Sequence, residues 1–171
     1  MPGGDNHDRL ESLSSVEAEL LAAILERLIP SDGNGAGARE ARVLRYIDRA
    51  LARDLWDARA GYAANLSAVD AFARARHGSR FADLGAELQD DLLAAIEADA
   101  APGFSPSSRA FFESVRLHAV QGMFGDPSHG GNAGFVGWGL IGFPGAKRVF
   151  TDEDQRLDVL VEPVWLGAED V

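Results

Sequence analysis

The side chains that could bind a metal ion are concentrated in one stretch of the chain. Glu113, His118, Asp126 and His129 are carboxylate and imidazole groups close together in sequence. Neighbours on one helix face lie three or four positions apart, so Glu113 and His118 fall on different faces of a helix. His129 lies in a turn-like stretch. The pattern favours a histidine hydrogen-bonded in the core or on the surface, and we assign no metal ligands.

Two further chemical motifs are weak in this sequence. Residues 137–142, GWGLIG, spell G-x-G-x-x-G, but a dinucleotide site needs a strand before the motif and a helix after it. The preceding stretch is turn-like, and Pro144 lies where the helix should run. A hydrolytic nucleophile is also unsupported, since the chain has neither G-x-S-x-G nor cysteine. We therefore assign no catalytic and no cofactor-binding residues.

Composition limits the classes of partner. The 171 residues carry a formal net charge of −11, which would repel phosphate backbones and anionic lipid, so we expect no nucleic-acid partner. No apolar run reaches the ~18 residues that suggest a membrane span, so no membrane insertion is expected. The absence of cysteine excludes disulfides, thiolate zinc sites and cysteine-ligated iron–sulfur clusters.

The first residues, MPGGDNHDRLESLSS, contain neither an apolar signal core nor paired arginines. As written, the chain is therefore expected in the cytoplasm. Residues 1–13 are small, polar and charged and are predicted to be a disordered N-terminal arm.

Apolar residues at helical spacing predict an all-α fold of five to six helices in one compact domain, residues 14–146. Ser14 and Glu17 form a capping-box pattern, and Val16 begins the apolar face of the first helix, which Pro30 ends. Gly78 is a predicted C-cap. The later helices are predicted over residues 38–52, 54–77, 84–98 (with Leu88, Leu92 and Ile96 inward), about 105–125, and a short 132–141.

The stretch from Gly125 to Gly145 interleaves glycines with Phe135, Trp138 and Phe143. Buried aromatic side chains can offset the entropy lost when glycine is ordered, so this Gly-rich segment is predicted to be packed. The preceding helix is apolar nearly all round, which places it at the centre or under another chain. Residues 147–171 are predicted to be an extended acidic tail, with a possible short strand over 156–161.

Several motifs resemble the gluconate 2-dehydrogenase subunit 3 family, the small or gamma subunits of FAD-dependent sugar and polyol dehydrogenases. The resemblance covers roughly residues 16–145, and the ordered set D-P…G-G-N…G-W…I-G-F-P-G is its most specific part. The motifs are Leu28-Ile29-Pro30, Tyr46 to Leu51, Arg80 to Leu84, Phe111-Phe112-Glu113, Gly122 to Pro127, Gly130-Gly131-Asn132, Gly137-Trp138 and Ile141 to Gly145.

The resemblance implies an accessory subunit in a heteromeric complex. In such complexes a large flavoprotein of the glucose–methanol–choline (GMC) type holds FAD and oxidises the sugar, and a cytochrome or iron–sulfur partner often takes the electrons. The small subunit carries no cofactor of its own and supports maturation, stability or export of the large one. Family members usually bear a twin-arginine signal, so a trimmed leader or a partner that carries the signal would place this chain in the periplasm.

We therefore expect no catalytic activity of this chain itself and predict an interface with the large subunit. Aromatic residues are enriched at interface centres, and turn residues of the Gly-rich segment present them. The predicted interface consists of Asp126, Pro127, Gly130, Gly131, Asn132, Phe135, Trp138, Phe143 and Trp165.

Two alternatives remain open at the level of sequence. An independent small helical enzyme or ligand-binding protein could use Asp126, His129 and Asn132 around a pocket. A self-associating structural protein could pair the Gly-rich segment with its own copy. For Asp126 and Asn132, turn formation is the competing structural explanation, because both side chains can accept hydrogen bonds from nearby backbone N–H groups.

Overall fold

The structure, a computed structural model, describes residues 9–31, 35–145, 151–152 and 156. These residues form a single all-α domain without a strand, as predicted. Short 3₁₀ turns at Trp56–Ala58, Phe81–Asp83, Pro127–His129 and Ala133–Phe135 connect the helices. The six helices are α1 (Ser15–Leu28), α2 (Val43–Ala52), α3 (Arg59–His77), α4 (Ala86–Glu97), α5 (Ser108–Phe124) and α6 (Val136–Ile141).

Helix α5 lies at the centre of the domain and contacts each of the other five helices. Its buried residues include Phe111, Phe112, Val115, Ala119 and Met123. The nearly continuous apolar surface of this helix is thus used mainly inside the chain. The prediction that it is central is confirmed.

Capping patterns in the sequence correctly predicted the start of α1 and the end of α3. At the start of α1, the Ser14 side chain accepts from the Glu17 backbone, and the Glu17 side chain accepts from the Ser14 backbone. Gly78 ends α3 in the left-handed conformation with φ 72°. Both sites depend only on residues within one turn, which is why the sequence pattern was sufficient.

Two apolar residues predicted to face inward are exposed instead. Val16 is 58% exposed and Leu88 is 39% exposed, while the neighbouring Gln89 is buried. Positions four apart drift about 40° around a helix of 3.6 residues per turn. Val16 and Leu88 therefore lie at the edges of their apolar runs, outside the faces that pack.

The predicted starts of two helices were too early. α2 begins at Val43 rather than at 38, because Arg42 adopts a left-handed conformation with φ 54° and ends a turn. A hydrogen bond from the Ala38 N–H to the Ile29 carbonyl connects that turn to an earlier part of the chain. α3 begins at Arg59 after the 3₁₀ turn Trp56–Ala58, rather than at 54.

The last predicted helix, 132–141, is interrupted. Gly134 and Phe135 have positive φ values of 62° and 60°, so a 3₁₀ turn precedes α6 and the two do not form one helix. Asn132 lies before this turn and makes no side-chain cap to it.

Residues 9–13, which belong to the predicted N-terminal arm, lie against α2. The backbone N–H groups of Glu11, Ser12 and Leu13 donate to the buried carboxylate of Asp48 at 2.7–2.9 Å. Leu13 is itself part of the core. Nearly all of the predicted tail lies outside the described residues, including Trp165 and all but the first residue of the predicted strand over 156–161.

Candidate functional site

Asp126 and His129, two of the residues with potential chemistry, lie at a cleft between α2 and the end of α5. The cleft has a volume of about 510 Å³, within the size range of small-molecule sites. We call it the α2–α5 cleft. It is lined by Tyr46, Arg49, Ala50, Arg53, Asp54, Leu55, Gln121, Gly125, Asp126 and His129.

Polar groups of the cleft are engaged in bonds that hold its walls together. The Tyr46 hydroxyl donates to Gln121 Oε1 at 3.0 Å, which joins α2 to α5. Burial, with a smaller effect of the nearby Asp54 charge, raises the pKa of Tyr46, so the hydroxyl remains a donor. Arg49 donates to the Ser128 carbonyl at 3.3 Å and so ties α2 to the following turn.

The turn after α5 has the geometry predicted for an Asx-turn. Asp126 Oδ1 accepts from the Ser128 N–H at 2.9 Å, and Pro127 occupies the first turn position. Gly130 ends the turn with φ 99°, a conformation that residues with a Cβ rarely adopt. Turn formation therefore accounts for the presence of Asp126, Pro127 and Gly130 in this segment.

Asn132 does not line the cleft and is fully buried. Its Nδ2 donates to the Gly125 carbonyl at 2.9 Å, and its Oδ1 accepts from the Gly137 N–H in the first turn of α6 at 2.8 Å. Its backbone N–H donates to the Gly122 carbonyl at 2.7 Å. Asn132 thus links the end of α5 to the start of α6, and its carbonyl accepts from the Phe135 N–H in the intervening turn at 2.9 Å.

Trp138 completes the cap of α5. Its Nε1 donates to the Phe124 carbonyl at 2.8 Å, one of the terminal carbonyls that a helix leaves without internal partners. The ring is 6% exposed and lies against Phe135 and Phe143, at centroid distances of 5.4 and 4.8 Å. The predicted anchor for a partner is therefore buried within this chain.

Glycines allow this cap to approach α5 closely. A Cβ on Gly131 would clash with the Gly122 carbonyl oxygen, and one on Gly137 would clash with the Met123 carbonyl oxygen. A Cβ on Gly122 would meet Tyr46 Cδ1 at 2.9 Å. The G-G-N and G-W motifs are accordingly needed for backbone packing, and the G-x-G-x-x-G letters lie in α6 and its C-cap.

The outer side of α6 remains open to solvent. Leu140, Ile141 and Phe143 are exposed, Ile141 by 58%; we call these three residues the α6 patch. Phe135 is half-buried, as are Asp126, Pro127 and Gly130 of the preceding turn, whereas Gly131 is buried. The predicted interface residues thus divide into an inner group that packs on α5 and an outer group that borders solvent.

His118 belongs to the core. Its Nδ1 lies 2.6 Å from the Tyr62 hydroxyl of α3, and the two rings stack with centroids 5.8 Å apart. Burial lowers the pKa of His118 and raises that of Tyr62, so a neutral pair is favoured. Within the described residues, no three His, Asp or Glu side chains lie close enough to hold a metal ion.

The sequence interpretation missed the arginines of the cleft. Arg49 lies in α2 and Arg53 directly follows this helix, both more than 70 positions before Asp126. The only local signal was the recurrence of arginine on the side of α2 opposite its buried stripe.

None of the described helices has the length and apolar content needed to cross a bilayer. No curated protein and no solved structure matches the chain significantly. Residues 15–145 match the model of the family described as gluconate 2-dehydrogenase subunit 3. That match spans most of the described helical domain, and the chain therefore belongs to the gluconate 2-dehydrogenase subunit 3 family.

Proposed function

We propose that this chain is a non-catalytic small subunit that binds and stabilises, or matures, a large FAD-dependent subunit of the GMC type. The complex would oxidise a sugar, glycoside or polyol, with FAD in the large subunit and a cytochrome or iron–sulfur protein as electron acceptor. The family description, which names a subunit of a dehydrogenase, supports an accessory role.

The α6 patch is the observation that carries the proposal. Trp138 fixes the inner face of α6 on α5, so the apolar side chains of the outer face are held outward on an ordered element. Covering a side chain such as Ile141 would contribute ~1.5–3 kcal/mol. Obligate interfaces resemble a domain core cut in half, and a rigid apolar patch is a suitable centre for one.

The compartment follows from the partner in this proposal. The complex is cytoplasmic when neither subunit carries an export signal. It is periplasmic when the partner carries one or a leader has been removed from this chain.

Co-expression with the flavoprotein encoded beside this chain tests the proposal. We expect the chain to raise the solubility, FAD content and dehydrogenase activity of that flavoprotein and to copurify with it. Ile141→Asp should weaken the complex by about 10- to 100-fold in Kd, which corresponds to the burial energy of one apolar side chain.

Val16→Asp is the matched control, because Val16 is as exposed as Ile141 and lies on a different helix. It should leave the complex intact. Unchanged solubility, FAD content and activity of the flavoprotein in the presence of the wild-type chain would refute the accessory role.

A ligand-binding role remains a second candidate because the α2–α5 cleft brings Asp126 and His129 together beside Arg49 and Arg53. Asn132 would not take part, since its side chain is committed to Gly125 and Gly137. His129→Ala is the sharper test, because Asp126 holds its own turn. A ligand or activity found in the isolated chain and lost in this variant would favour the second candidate.

A further inference from the structure

Three adjacent depressions follow α2 and form one groove. The first, of about 600 Å³, lies between α1, α2 and α4. The second, of about 450 Å³, shares Leu10 and Arg45 with the first, and the third is the α2–α5 cleft, which shares Arg53 with the second. Because neighbouring depressions have walls in common, they form a continuous surface, which we call the α2 groove.

Arginines of α2 and the turn before it lie along this groove. Arg42, Arg45, Arg49 and Arg53 recur at helical spacing, and Arg39 precedes them. The Glu11 carboxylate lies near three of these side chains, at 2.6 Å from Arg45, 3.2 Å from Arg53 and 4.0 Å from Arg49. Arg45 also contacts the buried Asp48 at 3.2 Å.

The remaining acidic residues along the groove do not neutralise it fully. Glu19 is bound to Arg80, outside the groove. Glu26 lies 3.9 Å from Arg39, whose side chain is 80% exposed. Asp54 and Asp126 border only the α2–α5 cleft. Among the described residues, the linings of the three depressions contain seven arginines and five carboxylates, which is a local excess of positive charge in a chain with a net charge of −11.

Arg42 is the most unusual residue of the α2 groove. It is exposed, and among the described residues its guanidinium has neither an ion-pair nor a hydrogen-bond partner. Its backbone is left-handed with φ 54°, a conformation that is unfavourable for a residue with a Cβ and that glycine adopts freely. A strained backbone carrying an unpaired charge suggests a role outside the folding of this chain.

The groove also has an apolar floor, which favours a polypeptide over a small anion. The lining of the first depression includes six apolar side chains: Leu10, Ala22, Ala23, Leu25, Ala38 and Leu44. The ten residues of α2 extend ~15 Å at ~1.5 Å each. An extended chain at ~3.3 Å per residue covers that distance with about five residues.

We propose that the α2 groove binds an extended acidic segment of the large flavoprotein subunit, with an apolar side chain in the first depression. This inference rests on the proposed function and adds a second contact region to the α6 patch. Charge complementarity across such a contact steers association and makes it sensitive to salt.

The test uses the purified wild-type chain and the flavoprotein encoded beside it, with Kd measured at low and high salt. The double variant Arg42→Gly with Arg53→Gln should raise Kd about tenfold at low salt and reduce the salt dependence. Arg42→Gly relieves the left-handed strain, so the melting temperature of that single variant should stay equal or rise. Weaker binding without a lower melting temperature would separate a role in docking from a role in folding.

Arg109→Gln and Arg116→Gln serve as charge-matched controls, because both side chains are exposed on α5 and away from the groove. Neither should change Kd. If the wild-type chain forms no complex, the proposed function fails. If the complex forms and the double variant binds like wild type, only the groove inference is overturned.

One further outcome would assign the groove to this chain itself. The isolated double variant would then melt at a lower temperature than wild type. Neutralising Asp152, Glu153 and Asp154 in the full-length chain would produce the same shift, with no added effect in combination. That result would make the acidic C-terminal residues the occupant and would overturn the proposal.

Discussion

Asn132 and Trp138 bind the end of α5 through hydrogen bonds to the carbonyl oxygens of Gly122, Phe124 and Gly125. Without these donors the carbonyl groups of this partly buried helix end would lose their partners, which costs about 1–3 kcal/mol for each group that is shielded from water. At the scale of single residues, two of the motifs that identify the family are thus explained by the folding of this chain. Their contribution to any interface is indirect, since they hold the outer residues of α6 in place.

Substitution of Trp138 should separate its packing from its hydrogen bond. Trp138→Phe keeps most of the ring but leaves the Phe124 carbonyl without its donor, so we expect a loss of about 1–3 kcal/mol in the free energy of unfolding. Trp138→Ala also removes the contacts with Phe135 and Phe143 and should cost ~3–5 kcal/mol. Chemical denaturation followed by circular dichroism measures both.

Trp56→Ala provides the control, because Trp56 is 73% exposed and should change stability by no more than ~0.5 kcal/mol. Equal effects at the two tryptophans would contradict the burial of Trp138.

The Asp126 turn could be predicted from the sequence because its hydrogen bond joins residues only two positions apart. The partners of Asn132 could not. Its side chain reaches Gly125 and Gly137 only after α6 has folded back onto the end of α5. Residue type alone indicated a cap, and the tertiary arrangement determined which groups it satisfies.

At the scale of elements, the close contact between α5 and α6 depends on glycines, because a glycine has no Cβ. A Cβ added to Gly131 would clash with the Gly122 carbonyl oxygen, and one added to Gly137 would clash with the Met123 carbonyl oxygen. The two elements are therefore closer than side chains would allow.

Gly137→Ala should test this contact directly. The added methyl group must push α6 away from Met123, and we expect a loss of about 1–3 kcal/mol, as for overpacking in a dense core. Gly61→Ala is the matched control in the exposed first turn of α3, where a Cβ would meet nothing within 4 Å.

Because alanine is the better helix former, Gly61→Ala should stabilise the chain by ~0.5–1 kcal/mol. Thermal melting of both variants gives the two signs. Stabilisation by both substitutions would show that α6 does not approach α5 as closely as described.

The helices themselves were largely predictable from apolar periodicity, but their starts were not. Ser14 begins α1 through bonds within one turn. The start of α2 instead depends on Arg42, whose left-handed backbone follows a turn tied to Ile29 and Ala133 through long-range hydrogen bonds. A residue that is strained by tertiary contacts leaves no trace in local propensity.

At the scale of the whole molecule, arginine–carboxylate pairs connect elements that are distant in sequence. Arg27 of α1 binds Asp90 of α4, and Arg80 binds both Glu19 of α1 and Asp83. Hydrogen bonds from these arginines lower the pKa values of Asp83 and Asp90. The stabilising effect of such carboxylates is present above their unfolded pKa values, near 4, and is lost as pH falls through the lower folded values.

The fold class and the net charge could be predicted from composition and periodicity, whereas this network and the α2 groove could not. Glu11, Arg45 and Arg53 are brought together only when residues 9–13 bind Asp48. Composition gives the number of charges but not their distances, and the local excess of arginine arises from those distances.

Acid sensitivity above pH 5 should come mainly from His118. Because burial lowers its folded pKa below the unfolded value of about 6.5, the unfolded state binds more protons between these two values. The free energy of unfolding should therefore decrease as pH falls from about 7, and the loss is complete below the folded pKa. Protonation would also remove the Nδ1 acceptor that faces Tyr62.

His118→Asn retains an acceptor toward Tyr62 but cannot titrate. The free energy of unfolding of this variant, measured by denaturation, should therefore change little between pH 7 and 5. His77→Asn, at the exposed end of α3, should keep the wild-type dependence. An equal slope of stability against pH in wild type and His118→Asn would mean that His118 is not held neutral by the fold.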